Sequence, residues 1–388
     1  MDFALSPEQE SIRAAVGKLC ERFDDAYWLA RDADGAFPHE LHQALATEGF
    51  LGMCIPEEYG GAGLGITEAA IMMQAVAQSG AAMSGASAVH MNIFGLNPVV
   101  VFGTHEQKSR MLPPLVAGQE KSCFGVTEPD TGLDTTKLKT RAERRGDRYV
   151  VNGQKIWTST AQVADRILLL ARTTPLEDVR KKTEGLSLFY TALDRTKVEV
   201  RRIEKMGRRA VDSNQVFFDG LEIPVEDRIG EEGRGFEYIL HGMNPERILI
   251  AAEAVGVGLA ALARATDYAK ERVVFGRPIG MNQAIQHPLA ECWMELEAAR
   301  LMTMNAARLY DRGENAGAAA NAAKYLAAEA GFKTCTQAVM THGGMGYAKE
   351  YHVERYLRES MIPRLAPISP QLVLCYIAER VLGLPKSY

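Results

Sequence analysis

The sequence predicts a multi-domain α+β protein, with an N-terminal all-α domain over residues 1–120, a middle β-barrel or sandwich domain over 121–231 and a C-terminal four-helix bundle over 232–388. Three observations carry this reading. At 388 residues the chain exceeds the size at which a single hydrophobic core usually stops growing. Helical periodicity in the first and last thirds gives way in the middle to short β-rich runs. An order of helices, then strands, then helices points to domains in series rather than an alternating βαβ sheet.

The first helix opens at Ser6-Pro7-Glu8, a Ser N-cap followed by Pro at the first helical position. The helical pattern runs to about Gly118, through the Ala-, Met- and Gln-rich stretch Ile66–Gln78, with a turn-forming run at Pro56–Gly61. Strands are expected at Tyr149–Val151, Lys155–Thr158, Ile167–Ala171, Leu186–Ala192, Val198–Ile203 and Val216–Phe218. Asn152-Gly153, between the first two, reads as a type I′ hairpin turn because both residues tolerate positive φ. Pro224 and the acidic, Gly-rich segment Ile229–Gly235 close the middle domain, and helices resume through most of Phe236–Leu384. Asn244-Pro245 has the look of an N-cap with Pro behind it, but a longer helix kinked or interrupted at Pro245 is the expectation. The glycine clusters Gly61–Gly65 and Gly343–Gly346 do not sit between a strand and a helix, so neither is a dinucleotide fingerprint.

A net charge of -5, with Lys and Arg dispersed, offers no electrostatic footprint for nucleic acid. The six cysteines stand far apart without CxxC pairs, which suits a reducing compartment. No apolar stretch reads as a membrane span, and the acidic start does not read as a signal peptide. Cytoplasm, or a matrix-like compartment after processing, is expected, without membrane insertion. His39 and His42 are spaced HxxH but lack further ligands at metal spacing, so they read as surface residues of a helix and no metal is expected.

The motifs are more specific. Cys123-Phe-Gly-Val-Thr-Glu-Pro-Asp-Thr-Gly-Leu-Asp134, followed by Gln154-Lys-Ile-Trp-Thr-Ser159, resembles the first signature and companion strand of the acyl-CoA dehydrogenase family. Lys205-Met-Gly207 through Pro224, Glu271-Arg272 through Gln283, and His342-Gly-Gly-Met-Gly-Tyr347 continue the resemblance in the family's order, so it covers essentially the whole chain. The resemblance implies one FAD per subunit, a homotetramer or dimer of dimers, an acyl-CoA substrate from fatty acid or amino acid catabolism, and an electron-transfer flavoprotein as electron acceptor. It places Phe124, Val126, Thr127, Gly132, Trp157 and Ser159 along the flavin ring. Arg272, Phe275 and Gln283 would reach the pyrophosphate and adenosine half across a subunit boundary, together with Gly344, Ser369 and Gln371. A planar guanidinium such as Arg272 meets diphosphate oxygens bidentately. Leu133 departs from the family, which commonly has a hydroxyl residue there, so one polar contact to the cofactor is expected to be lost. His342 is near the flavin by motif position or structural; Glu128 and Asp134 stabilise the signature turn or touch ligand.

Removing two carbon-bound hydrogens from an acyl thioester needs a polarised carbonyl and a carboxylate base in a dry pocket, where burial raises its pKa. Most of the family carries that Glu near the C-terminus, where counting from Arg358 puts Pro367. The isovaleryl-CoA and long-chain acyl-CoA dehydrogenases place it earlier, in a Glu-Arg pair followed by aliphatics, and Asn244-Pro-Glu-Arg-Ile-Leu-Ile250 matches that pattern. Glu246 is therefore the expected base, with Arg247 and Asn244 as candidate contacts to the substrate's CoA end. Met72, Met73, Met83, Ala88 and Met91 are candidates for the acyl pocket. An acyl-CoA oxidase and a non-catalytic flavin- or acyl-CoA-binding subunit remain alternatives, the first made less favourable by chain length.

Overall fold

The computed structural model describes residues 4–387. Seven helices make the N-terminal region: α1 Pro7–Cys20, α2 Asp25–Asp34, α3 His39–Thr47, α4 Ile66–Val76, α5 Ala82–His90, α6 Asn97–Phe102 and α7 His105–Val116. Ser6 caps α1 in a full capping box: its hydroxyl accepts from Gln9 N at 3.2 Å and the Gln9 side chain accepts from Ser6 N at 3.1 Å. α4, α5 and α6 form one broken rod, joined by wide π-type turns at Ala77–Ala81 and Met91–Gly95. Such turns offset the side chains that follow them, and they concentrate at functional sites.

The strands are β1 Ser122–Gly125, β2 Arg141–Arg145, β3 Arg148–Ser159, β4 Arg166–Arg172, β5 Leu186–Ala192, β6 Val198–Arg202, β7 Ser213–Pro224 and β8 Arg228–Ile229. They form one sheet in the order β6-β7-β3-β2-β4-β5-β8, with β1 parallel to β4. Alternation along β4 splits its side chains: Ile167, Leu169 and Ala171 join a core built from both halves of the curled sheet, while Leu168 and Leu170 pack toward the N-terminal helices and residues 238–239.

Asn152-Gly153 is not a hairpin turn. Residues 148–159 run as a single strand, because both halves pair with β7, from Arg148↔Pro224 to Ser159↔Ser213. At the register shift between Val151 and Asn152 the extra residue is Gly220 of β7, at φ 65°, and its N donates to Asn152 Oδ1 at 2.9 Å. The type I′ geometry belongs to Phe275-Gly276, whose φ values of 52° and 77° join the short antiparallel pair Val273–Val274 and Arg277–Pro278. This hairpin interrupts a C-terminal region otherwise made of α8 Gly235–His241, α9 Met243–Glu271, α10 Gln283–Asp311, α11 Gly317–His342, α12 Val353–Glu359, α13 Ile362–Leu365 and α14 Pro370–Arg380.

The stretches Ile66–Phe102 and Gly235–Glu271 are long and apolar enough to cross a bilayer, which corrects the expectation that no segment is. In their most apolar windows 78% and 83% of residues are buried inside the protein. Their apolarity is explained by position, since α4 and α9 run through the middle of the helical core and bury residues on all sides. All six cysteines are free.

Candidate active site

The two motif segments of the middle domain are stitched together. Ile156 N donates to Thr127 O at 2.9 Å, and the fully buried Lys155 ammonium donates to Val126 O at 3.0 Å and Glu128 Oε1 at 2.8 Å. Glu128 also accepts from the backbone of Lys139 and Thr140 at 2.7 and 2.9 Å. Burial alone would raise the Glu128 carboxyl, but Lys155 and these donors hold it below its ordinary range; burial pushes Lys155 down to about 8. Glu128 thus clamps the signature turn, while Asp134 lies in solvent with Thr136 and Lys137.

Beyond the clamp the surface is open. Trp157 is 57% exposed with φ 61°, Leu133 is exposed, and Thr158 Oγ1 is buried without a partner among the described residues. Phe124 packs against Phe94 in a tilted ring pair at 5.4 Å, and Val126, Thr127 and Ser159 lie at or just under the same surface. A non-glycine residue held in the left-handed region costs roughly 1 kcal/mol or more and persists where its surroundings demand it. An exposed indole on strained backbone beside an unfilled hydroxyl is a platform for a flat polar heterocycle, and it fits FAD. Nothing within 4 Å would meet a Cβ built on Gly132, Gly276 or Gly344, so backbone at each is open to approach.

The remaining cofactor candidates are dispersed over one protomer. Arg272 ends α9, Phe275 tips the hairpin at 101% exposure, and Gln283 begins α10. Gly344 lies in the turn after α11, and Ser369 caps α14, where its hydroxyl accepts from Leu372 N at 3.3 Å and Gln371 follows in the first turn.

Glu246 stands in the first turn of α9, its amide donating to Gly242 O at 3.0 Å. The chain breaks at Gly242, between α8 and α9, rather than at Pro245, whose missing N–H costs nothing in a first turn. The residue is half-buried, yet protein surrounds its carboxylate closely enough that burial is the dominant influence and pushes it up to about 7, against the pull of His90 and Arg247 and helped by Glu253. Burial outweighs the helix-terminus field that favours the anion. Arg247 turns away to donate to Asn244 Oδ1 at 3.0 Å. Lys324, whose ammonium is drawn down to about 8 by burial, reaches Ile368 O at 2.6 Å and lies within the field of Glu246. Lys324 thus ties the loop that holds Pro367, through Ile368 O, into the electrostatic surroundings of Glu246.

Sequence reasoning missed the groups around that carboxylate. His90, the last residue of α5, engages the fully buried Glu253 through Nδ1, and Arg208 reaches Ser87 at 3.3 Å and Ser159 at 2.9 Å. One signal was readable: a lone charge in Ile250-Ala-Ala-Glu253-Ala-Val, seven residues from Glu246 and hence on the same helix face. Met72, Met73, Met83, Ala88 and Met91 are all buried. His42 is buried rather than on the surface; it packs against Phe37, and burial lowers it to about 3. His342 stacks on Tyr268 at 4.3 Å and bonds Ala338 O through Nδ1 at 2.8 Å, a structural arrangement. The described residues hold no group of three or more His, Cys, Asp or Glu able to bind a metal.

Comparison with known proteins agrees with this geometry. Residues 6–119, 123–221 and 233–367 match the acyl-CoA dehydrogenase N-terminal, middle and C-terminal domain families. The acyl-CoA dehydrogenase FadE12 of Mycobacterium bovis is 38% identical over 391 residues, covering 100% of this chain and 99% of the relative. Glutaryl-coenzyme A dehydrogenase in complex with glutaryl-CoA superposes with a TM-score of 0.94 at 31% identity, covering 100% of this chain and 98% of that one. The FAD complex of PigA gives a TM-score of 0.92 at 27% identity over 99% and 100% of the two chains. The chain belongs to the acyl-CoA dehydrogenase family, FAD-dependent oxidoreductases acting on acyl-CoA.

Proposed function

We propose that this chain dehydrogenates an acyl-CoA across Cα–Cβ to the trans-2-enoyl-CoA, with Glu246 removing the α-proton. The observation that carries this reading is a carboxyl on the first turn of a central helix, pushed up to about 7 by burial, in a chain that has Pro367 where the family's usual base is expected. A base with a pKa near the working pH combines the deprotonated state with useful proton affinity, which a carboxylate near 4.5 lacks. Bound FAD supplies the acceptor for the β-hydride.

The chain's own residues then divide the work. Phe124, Val126, Thr127, Gly132, Trp157 and Ser159 line and orient the ring, with Leu133 offering no polar contact. Arg272, Phe275 and Gln283, with Gly344, Ser369 and Gln371, hold the diphosphate and adenosine half. Because these two sets are scattered over one protomer and Phe275 is fully exposed, a partner subunit of a homotetramer is the natural complement. Arg247 and Asn244 face the CoA end. On the same reading the electron acceptor is an electron-transfer flavoprotein and the location cytoplasmic.

The test is an anaerobic titration with straight, branched and cyclic acyl-CoAs, following bleaching of the visible flavin band in native protein and Glu246→Gln. Bleaching by one acyl class that the variant abolishes is the expected result. Bleaching that survives the substitution assigns the base elsewhere, and bound flavin that no acyl-CoA reduces leaves a non-catalytic subunit.

A further inference from the structure

The surroundings of Glu246 are polar where a plain alkyl chain would require methylenes. Glu253 sits one helical face along from Glu246, about 10 Å down the axis at 1.5 Å per residue. It is fully buried and holds His90 Nδ1, while the His90 side chain keeps 10% of its surface exposed. Nε2 of that ring bonds none of the described residues and is not sealed from solvent. Arg208 approaches from the middle domain with φ 53°, its guanidinium donating to Ser87 Oγ at 3.3 Å, Ser159 Oγ at 2.9 Å and Ser213 Oγ at 3.1 Å. Ser87 precedes His90 by three residues on α5, so Arg208 and His90 address the same face of that helix. His90 also packs against Phe94 with ring centroids 4.5 Å apart, and Phe94 against Phe124 at 5.4 Å, both tilted, which links the pair to the platform beside Trp157.

A buried polar network that serves only the fold satisfies its own atoms. This one does not: Glu253 Oε2 and Arg208 Nε are both buried without partners among the described residues. Burial pulls the His90 ring down, but the charge and hydrogen bond of Glu253 outweigh it and hold the ring above its ordinary range, so it presents an N–H donor. Two cationic groups addressing one face of α5 suit an oxygen acceptor.

Resting on the reading of Glu246 as base, we infer that the acyl group accepted by this chain carries an oxygen function a few carbons beyond Cβ, bound by His90 and Arg208, with Glu253 fixing the His90 ring. Hydroxyl, ketone and carboxylate share the required acceptor chemistry. An unsubstituted alkyl tail would leave the open edge of His90 desolvated and without an acceptor, and would add none for Arg208 beyond the three serine hydroxyls it already holds, which costs affinity.

The experiment measures equilibrium binding by calorimetry to the FAD-loaded Glu246→Gln protein, which holds acyl-CoA without turnover. The ligands share one chain length: hexanoyl-CoA, 5-oxohexanoyl-CoA, 6-hydroxyhexanoyl-CoA and adipoyl-CoA. At least one oxygenated ligand is expected to bind about tenfold more tightly than hexanoyl-CoA, as one charge-assisted hydrogen bond would give. Adding His90→Phe or Arg208→Met should abolish that preference, and adding His90→Gln, which keeps a donor, should retain part of it. Flavin content and circular dichroism confirm that each variant is folded. Hexanoyl-CoA binding as tightly as the other three, or a preference that survives both His90→Phe and Arg208→Met, overturns the proposal. Because binding is read without turnover, a preference found in a protein that no acyl-CoA reduces supports the oxygen site and defeats the dehydrogenase reading alone.

Discussion

Two of the buried acid–base pairs among the described residues are built differently. Glu128 and Lys155 close on each other inside the middle domain, and every remaining bond of the carboxylate goes to backbone N–H groups. Glu253 and His90 meet at the junction of α9 and α5, with one carboxylate oxygen unpartnered and one edge of the imidazole open. The first pair lowers its carboxyl and holds a turn. The second belongs to a cluster in which a neighbouring carboxyl, Glu246, is pushed up to about 7. Between these two pairs the difference lies in completeness of hydrogen bonding rather than in burial or charge.

Substitutions can break that contrast. The largest expected effect is on rate: Glu246→Gln should slow flavin reduction about a thousandfold in anaerobic stopped flow, the scale of a lost general base, while Glu128→Gln leaves that rate within about twofold in the folded protein. The native rate should rise with pH through about 7 and level off above it, because only the deprotonated carboxylate accepts a proton. Next comes stability: Glu128→Ala strands the buried Lys155 ammonium and should cost about 3–5 kcal/mol in denaturant unfolding.

A smaller effect tests the sign of the Glu246 shift. A carboxyl raised above its ordinary 4.5 favours the fold when protonated, so its contribution is fully present below pH 4.5 and is lost as pH rises through about 7. Glu246→Gln retains the neutral group at every pH. Its Tm should therefore match the native protein near pH 4.5 and exceed it at pH 8 by about 2 °C or more; equal melting at both pH values would mean that the carboxyl is not raised. The smallest effect is expected at the hairpin: Phe275→Ala, in a side chain with no cover within its own protomer, should change protomer stability by less than about 0.5 kcal/mol. It should nevertheless lower FAD content and the sedimenting mass, if this tip docks on a partner subunit.

Much of the architecture was legible because it rests on local rules. Ser6-Pro7 sets its own cap, and Leu186–Ala192 reads as a strand and is one. The errors share a cause. Asn152-Gly153 carries a strong local hairpin signal, but β7 offers both halves of β3 a partner, and pairing along 148–159 outweighs the turn preference of two residues. Phe275-Gly276, with a bulky aromatic at positive φ, gives a weak turn signal and yet forms the turn. His42 looked like a surface residue because HxxH says nothing about which face of α3 is covered.

The sequence by itself determined the order of helices, strands and helices, the family motifs and Glu246 as the base to test, since periodicity, caps and motif spacing are properties of contiguous residues. Tertiary structure alone decided the company that Glu246 keeps. His90, Arg208, Glu253 and Lys324 come from four separate stretches of chain, and of these only Glu253 stands out where it is. Burial and electrostatic influence arise only when the fold brings His90, Glu253 and Lys324 within reach of Glu246, and Arg208 within reach of Glu253.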